Sequence, residues 1–145
     1  MTLSTLRMAA IVVLSFIAGA FAIATVTGAQ SSRGADRVYE LRVYHTLPGR
    51  LPQLEWNFRD HNVAYLKKHG IESVGYWTPQ DSPAAENTLI FIVAHDNREA
   101  AKRHWEEFRN DPEWKKLAQA SLASGEIVEK IDSTFLTPTD FSPMK

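Results

Sequence analysis

The chain has 145 residues, a formal net charge of −1 and no cysteine. This length suits one domain, and the lack of cysteine excludes thiol catalysis, disulfides, cysteine-ligated zinc and a lipoprotein anchor. Lysine and arginine alternate with acidic residues along the predicted helices instead of forming one basic patch, which argues against a nucleic-acid partner.

The N-terminal segment has the pattern of an export signal. Arg7 precedes an uncharged, mostly apolar run from Ala9 to Val26, and small residues follow at 27–29. We expect residues 1–29 to be a signal peptide and 30–37 a linker. Because the run approaches the ~20 residues that span a bilayer, an uncleaved anchor is the alternative. The domain is therefore expected to be exported, periplasmic or secreted, with this segment as its only membrane contact.

The first half of the remaining chain predicts a strand and a helix. Residues 38–45 alternate between two chemically different sets of side chains, which is strand periodicity. From 51 to 69, apolar and aromatic residues recur at helical spacing, and Gly70 follows where a left-handed cap suits glycine.

The second half predicts five further elements. Turn residues, alternation and helix caps place them as strand 73–78, strand 88–95, helix 98–109, helix 112–124 and strand 127–136. The resulting order, β-α-β-β-α-α-β, favours an α+β fold of the ferredoxin-like type, an antiparallel sheet with helices on one face.

The strand at 88–95 is apolar on both of its faces. Leu89, Phe91 and Val93 alternate with equally apolar neighbours, whereas an antiparallel sheet covered on one side normally shows polar residues on the other. A second copy of the same sheet would cover the free face with two-fold symmetry. The sequence therefore predicts a homodimer.

His61 is the candidate for chemistry in the first helix. It follows Leu54 and Phe58 by helical steps, so we expect it to face the sheet, where it is a candidate general base or ligand. A core-edge histidine bonded to the backbone or to a carboxylate is the favoured interpretation, since no second metal ligand stands at a recognisable spacing. With Tyr65, Tyr76 and Trp105 it forms a candidate pocket for a planar hydrophobic molecule, although aromatic residues at such spacing are also typical of a core.

A second set, Glu40, Arg42 and Tyr44, shares one face of the first strand. In the expected dimer this face would look into the shared interior, where charges must pair or form hydrogen bonds. Two hypotheses stay open at this point: a polar network that fixes the dimer register, or a polar ligand site.

Three groups of short motifs follow one another along the chain: Tyr39-Glu-Leu-Arg-Val-Tyr44 before Pro48-Gly49, then Gly75-Tyr-Trp77, then Asp111-Pro-Glu-Trp114. In these motifs and their order, residues 38–138 resemble the NIPSNAP family, with a tail at 139–145. The resemblance implies a dimeric α/β barrel of two ferredoxin-like sheets. The family has been linked to membrane traffic and mitochondrial signalling, and similar folds include cofactor-free monooxygenases and haem-handling proteins.

Two functions are compatible with these features. The first is an exported, homodimeric NIPSNAP-like binding or assembly module whose chemistry the sequence does not specify. The alternative is a small cofactor-independent oxygenase acting on an aromatic or hydrophobic molecule, in the pocket around His61. No cofactor or metal is predicted, since no second ligand stands at a recognisable spacing. Haem binding through a single histidine is a third hypothesis.

Overall fold

The computed structural model describes residues 37–144. The predicted signal peptide or anchor at 1–29 lies outside the described residues, as do the linker residues 30–36 and Lys145. Within the described range, no helix is both long and apolar enough to cross a membrane. The domain predicted at 38–138 is described in full.

Four β-strands and four α-helices form residues 37–144. In chain order they are β1 (Val38–Thr46), α1 (Leu51–Asn57), α2 (Val63–Lys68), β2 (Glu72–Trp77), β3 (Thr88–His95), α3 (Arg98–Asn110), α4 (Pro112–Ser121) and β4 (Val128–Leu136). A π-helical turn at Phe58–Asn62 joins α1 to α2, and a 3-10 turn at Leu122–Ser124 follows α4. The predicted order of elements is confirmed, with the single helix expected at 51–69 divided into three consecutive parts.

The strands form one antiparallel sheet in the order β2-β3-β1-β4. On β1, one of the two central strands, Arg42 stands opposite Phe91 of β3 and Ser133 of β4. Residues directly opposite each other share a face of the sheet, so these three side chains lie on the same face. The helices pack on that face. Trp105 of α3 contacts Glu40 there. This arrangement confirms the α+β ferredoxin-like fold.

The helix ends follow signals that are local in the sequence. Gly70 ends α2 with a φ of +71°, a conformation that glycine adopts without the penalty of a Cβ. Asn97 caps α3 with its side-chain oxygen, and Asp111 caps α4 by accepting two backbone N–H groups. Asp111 also accepts hydrogen bonds from Lys68 at 2.8 Å and His69 at 2.9 Å. One carboxylate thus joins the start of α4 to the end of α2.

The two faces of β3 differ in cover, although both are apolar. Phe91 and Val93, under the helices, are 1% and 0% exposed, whereas Ile90 and Ile92 on the opposite face stay partly exposed. On that opposite face Trp77 lies across Gly75, where an added Cβ would come within 2.6 Å of the indole ring. We call this the outer face, defined by Leu41, Val43, Trp77, Ile90 and Ile92.

Candidate ligand-binding site

A cavity of about 290 Å³ lies between the sheet and the helices. Its walls are mainly aromatic and aliphatic, and the side chains come from strands and helices alike: Tyr44, Leu54, Phe58, Leu66, Phe91, Trp105, Phe108, Trp114, Leu117, Ile127, Val128 and Ile131. Two apolar lining residues are well exposed, Leu122 at 55% and Ile131 at 46%. The volume is close to the lower end of the ~300–1,000 Å³ range of small-molecule sites.

The π-helical turn at Phe58–Asn62 shapes one wall of this cavity. The N–H of Val63 donates to the carbonyl of Phe58, five residues earlier. One residue more per turn rotates the following side chains relative to a regular α-helix. As a result Leu66, 2% exposed, enters the core, and Tyr65 does not line the cavity. Turns of this type are rare and are frequently found at functional sites.

His61 lies in the π-helical turn and lines the cavity, as predicted. Its Nε2 is 3.1 Å from Oδ2 of Asp60, and its ring meets the Trp56 ring edge-on at 5.4 Å between centroids. The side chain is 32% exposed, so it belongs to the rim between cavity and solvent.

Asn57 supplies a polar group deeper in the same wall, and sequence reasoning missed it. The residue is only 8% exposed and lines the cavity. Within residues 37–144 no hydrogen-bond partner of its side-chain amide is found, and the amide is not among the fully buried unpaired groups, so water or a ligand can reach it. The signal was its spacing, since it stands three residues after Leu54 and four before His61, on the same helical stripe. An amide facing an apolar cavity requires a partner from a ligand or from water.

The structure brings together only His61 and Trp105 of the four residues predicted to share a pocket. Tyr65 is turned toward α4, where its hydroxyl lies 3.4 Å from the Glu113 carboxylate. Tyr76 stacks on Phe91 and lines a separate cleft of about 330 Å³. The π-helical turn explains the position of Tyr65, because it changes the helical phase after residue 58.

The second predicted set also needs a correction. Glu40, Arg42 and Tyr44 do share one face of β1, but it is the face under the helices and not the outer face. Arg42 donates to Glu40 at 2.6 Å and to the Tyr44 hydroxyl at 3.4 Å. Strand alternation sorts side chains into two sets without indicating which set the helices cover. The polar network lies between the sheet and the helices, where Trp105 covers it, and not on the outer face.

The Glu40 carboxylate is ionised in spite of its burial. It accepts hydrogen bonds from Trp105 Nε1 at 2.5 Å and Ser133 Oγ at 2.6 Å, and His95 Nε2 lies 3.5 Å away. Burial raises the pKa of Glu40, but the nearby His95 imidazole, the hydrogen bonds from Ser133 and Trp105 and the charge of Arg42 outweigh it and hold the pKa at about 2. The network therefore fixes Trp105, one wall of the cavity, through a charged acceptor.

The profile of the NIPSNAP family matches residues 39–143 of this sequence. The chain belongs to the NIPSNAP family. A NIPSNAP family protein of unknown function from Agrobacterium tumefaciens has a similar crystal structure, with a TM-score of 0.66 and 23% identity over 76% of this chain and 95% of that one. An uncharacterised NIPSNAP-like domain protein from Burkholderia xenovorans gives a TM-score of 0.64 and 19% identity, over 74% of this chain and 89% of the other.

A functionally described protein shares the NIPSNAP fold more distantly. The crystal structure of SnoaB, a cofactor-independent oxygenase from Streptomyces nogalater, gives a TM-score of 0.51 and 15% identity over 74% of this chain and 98% of that chain. At this identity the similarity concerns the fold alone. No curated protein sequence matches the chain. Among residues 37–144, no group of three or more histidine, aspartate or glutamate side chains is placed to hold a metal ion.

Proposed function

We propose that this NIPSNAP domain is an exported homodimer that binds a small, largely apolar molecule in the cavity between its sheet and helices. The single observation that carries the proposal is the Asn57 amide, which faces an apolar cavity without a partner among residues 37–144. The NH2 group of this amide can donate and its carbonyl oxygen can accept hydrogen bonds, which would fix the orientation of a ligand. The remaining surface of that ligand would contact aromatic rings. Few polar groups among many apolar ones are typical of small-molecule sites.

The homodimer is supported by the outer face of the sheet. Leu41, Val43, Ile90 and Ile92 are partly exposed in the single chain, and Trp77 is 49% exposed. A two-fold axis would place this apolar face against its own copy and remove both from water. Export is supported by the pattern of residues 1–29 alone. The N-terminal sequence of the exported product would test both cleavage and location.

Ligand binding can be tested by filling the cavity. Ala118 of α4 lines it, whereas Ala120 on the same helix is exposed. The product of the full chain would be screened by thermal shift against aromatic and aliphatic small molecules, with haem included. For any ligand found, Ala118→Phe should abolish the shift and Ala120→Phe should retain it. Equal shifts in both variants would place the ligand elsewhere and contradict the proposal.

A second candidate function is a cofactor-independent oxygenase reaction. His61 beside Asp60 supports it, together with the fold shared with SnoaB. The imidazole would accept the proton of a phenolic hydroxyl. The phenolate, as the reductant, would transfer electrons to molecular oxygen, as the oxidant, and form a C–O bond to a ring carbon as a hydroperoxide. Cleavage of the O–O bond with loss of the proton on that carbon would leave a quinone and release the second oxygen atom as water.

The two candidates differ in one measurement, oxygen uptake. With 1-naphthol as the probe, uptake that is lost in His61→Ala and retained in His45→Ala would favour the oxygenase. His45 is a suitable control because it pairs with Asp132 outside the cavity. Stabilisation by an aromatic ligand without oxygen uptake would favour the binding function.

A further inference from the structure

A groove of about 370 Å³ runs between α3 and β4, separate from the cavity except that Trp105 lines both. Three cationic side chains, Arg98, Lys102 and Arg109, line it from α3. Their spacing of four and then seven residues places all three on one stripe of the helix. Phe135 of β4 lines the opposite side.

These three cations have no carboxylate partner within 4 Å in the described part of the chain, unlike several other cations of the domain. Arg103, next to Lys102 in sequence, is 4.0 Å from Glu107, and Lys68 pairs with Asp111 at 2.8 Å. The guanidinium carbon of Arg98 instead lies 3.4 Å from the centre of the Phe135 ring. An aromatic ring holds the guanidinium in place without neutralising its charge.

The balance of charge in the groove is positive. Below the three cations, Arg42 lies over the Trp105 ring at 4.3 Å and pairs with Glu40 at 2.6 Å, so their charges cancel. Glu99 is the remaining acidic side chain that lines the groove. Three cations and one acid leave an excess of two positive charges, in a chain whose formal net charge is −1.

We propose that this groove binds a small anion through a phosphate or carboxylate group. Guanidinium and ammonium groups form short, charge-assisted hydrogen bonds with both kinds of oxyanion. Arg98 is held by Phe135, so it loses little side-chain freedom on binding. The site is distinct from the cavity of the proposed function, and neither depends on the other.

The test uses the product of the full chain and two probes, inorganic phosphate and citrate, titrated calorimetrically at low and constant ionic strength. We expect saturable binding that weakens about tenfold in Arg98→Gln and in Arg109→Gln, since each removes a charge-assisted hydrogen bond. Arg103→Gln, on the same helix but paired outside the groove, should bind like the wild type. Glu99→Gln should bind about threefold more tightly, because it removes the opposing charge.

The increase in affinity in Glu99→Gln separates a binding site from structural damage, because a misfolded variant would not gain affinity. Loss of affinity in Arg103→Gln equal to that in Arg98→Gln would overturn the proposal, as would no heat with either probe. A membrane surface is the other source of phosphate groups. Binding to phosphatidylglycerol vesicles with no binding of free phosphate or citrate would also overturn it. Ala118→Phe should leave anion binding unchanged, which keeps this test independent of the cavity.

Discussion

The indole N–H of Trp105 donates a 2.5 Å hydrogen bond to the carboxylate of Glu40, which lies 65 residues earlier in the chain. The same carboxylate accepts from Ser133 of β4 and from its neighbour Arg42. One buried charge thus joins β1, the edge strand β4 and α3. Because Trp105 lines both the cavity and the cationic groove, the geometry of both depends on Glu40.

Glu40→Gln should lower the free energy of unfolding by about 3 kcal/mol, because it leaves Arg42 buried without its anion. It also exchanges an acceptor oxygen for an amide that cannot accept from all of the present donors. Urea unfolding at neutral pH measures the loss. Glu72→Gln is the matched control, since Glu72 is 65% exposed where it pairs with Arg37. This variant should lower the free energy of unfolding by less than about 1 kcal/mol. Equal losses in the two variants would contradict a structural role for Glu40.

The stabilisation from Glu40 should depend on pH with a definite sign. The pKa of its carboxyl is about 2 in the folded chain, below the ordinary value of 4.5. The folded state therefore binds fewer protons than the unfolded state, so the stabilisation is complete above pH 4.5 and is lost as pH falls toward 2. The difference in free energy of unfolding between wild type and Glu40→Gln should shrink over that interval.

Urea unfolding of both proteins from about pH 7 to about pH 3 checks this dependence. The pKa values of Asp111 and Asp132 are also lowered, chiefly by hydrogen bonds from Lys68 and Lys130 respectively. Both carboxyls remain in the variant, so their effects cancel in the difference. A difference that stays constant down to pH 3 would show that Glu40 is not the group responsible.

Deletion of Asp60 should convert the π-helical turn into a regular α-helical turn. The side chains of Phe58 and Leu66 would then be seven residues apart, which keeps both on the core face of a regular helix. We expect the free energy of unfolding to change by less than about 1 kcal/mol, with ligand binding in the cavity lost because His61 and Asn62 are displaced. Urea unfolding and thermal shift measure the two effects.

The control is deletion of Glu106 from α3, which is a regular helix. This deletion would rotate Phe108, which is 7% exposed, away from the core. The deletion should therefore destabilise the domain strongly. If the Asp60 deletion unfolds the domain equally, the π-helical turn is a structural requirement of the fold. Ligand binding that survives the deletion would remove the turn from the candidate site.

Ile92→Glu should convert the proposed dimer to a monomer. Ile92 lies in the middle of the outer face, where a glutamate would be buried without a cation opposite it in a two-fold interface. Sedimentation equilibrium at micromolar concentration should give twice the chain mass for wild type and one chain mass for the variant. Gln119→Glu, which adds the same charge on the exposed side of α4, should remain dimeric. A monomeric wild type would contradict the dimer proposal.

The sequence by itself determined the elements and their order. Gly70, Asn97 and Asp111 act on helix ends within a few residues of their own positions, so their effects can be recognised without the fold. The alternation of apolar residues in β3 likewise predicted a strand with two apolar faces. Local backbone chemistry and periodicity carry this information, and the fold class follows from the order of the elements.

Only the tertiary structure decided which faces and which residues meet. Alternation along β1 placed Glu40 and Arg42 together but could not show that Trp105 would cover them. Helical spacing predicted Tyr65 in the pocket, whereas the π-helical turn changes the helical phase, so that Leu66 lies in the core and Tyr65 lies beside Glu113 of α4. The cations of α3 and Phe135 of β4 lie far apart in sequence, and only the packing of the helix against the sheet brings them into one groove.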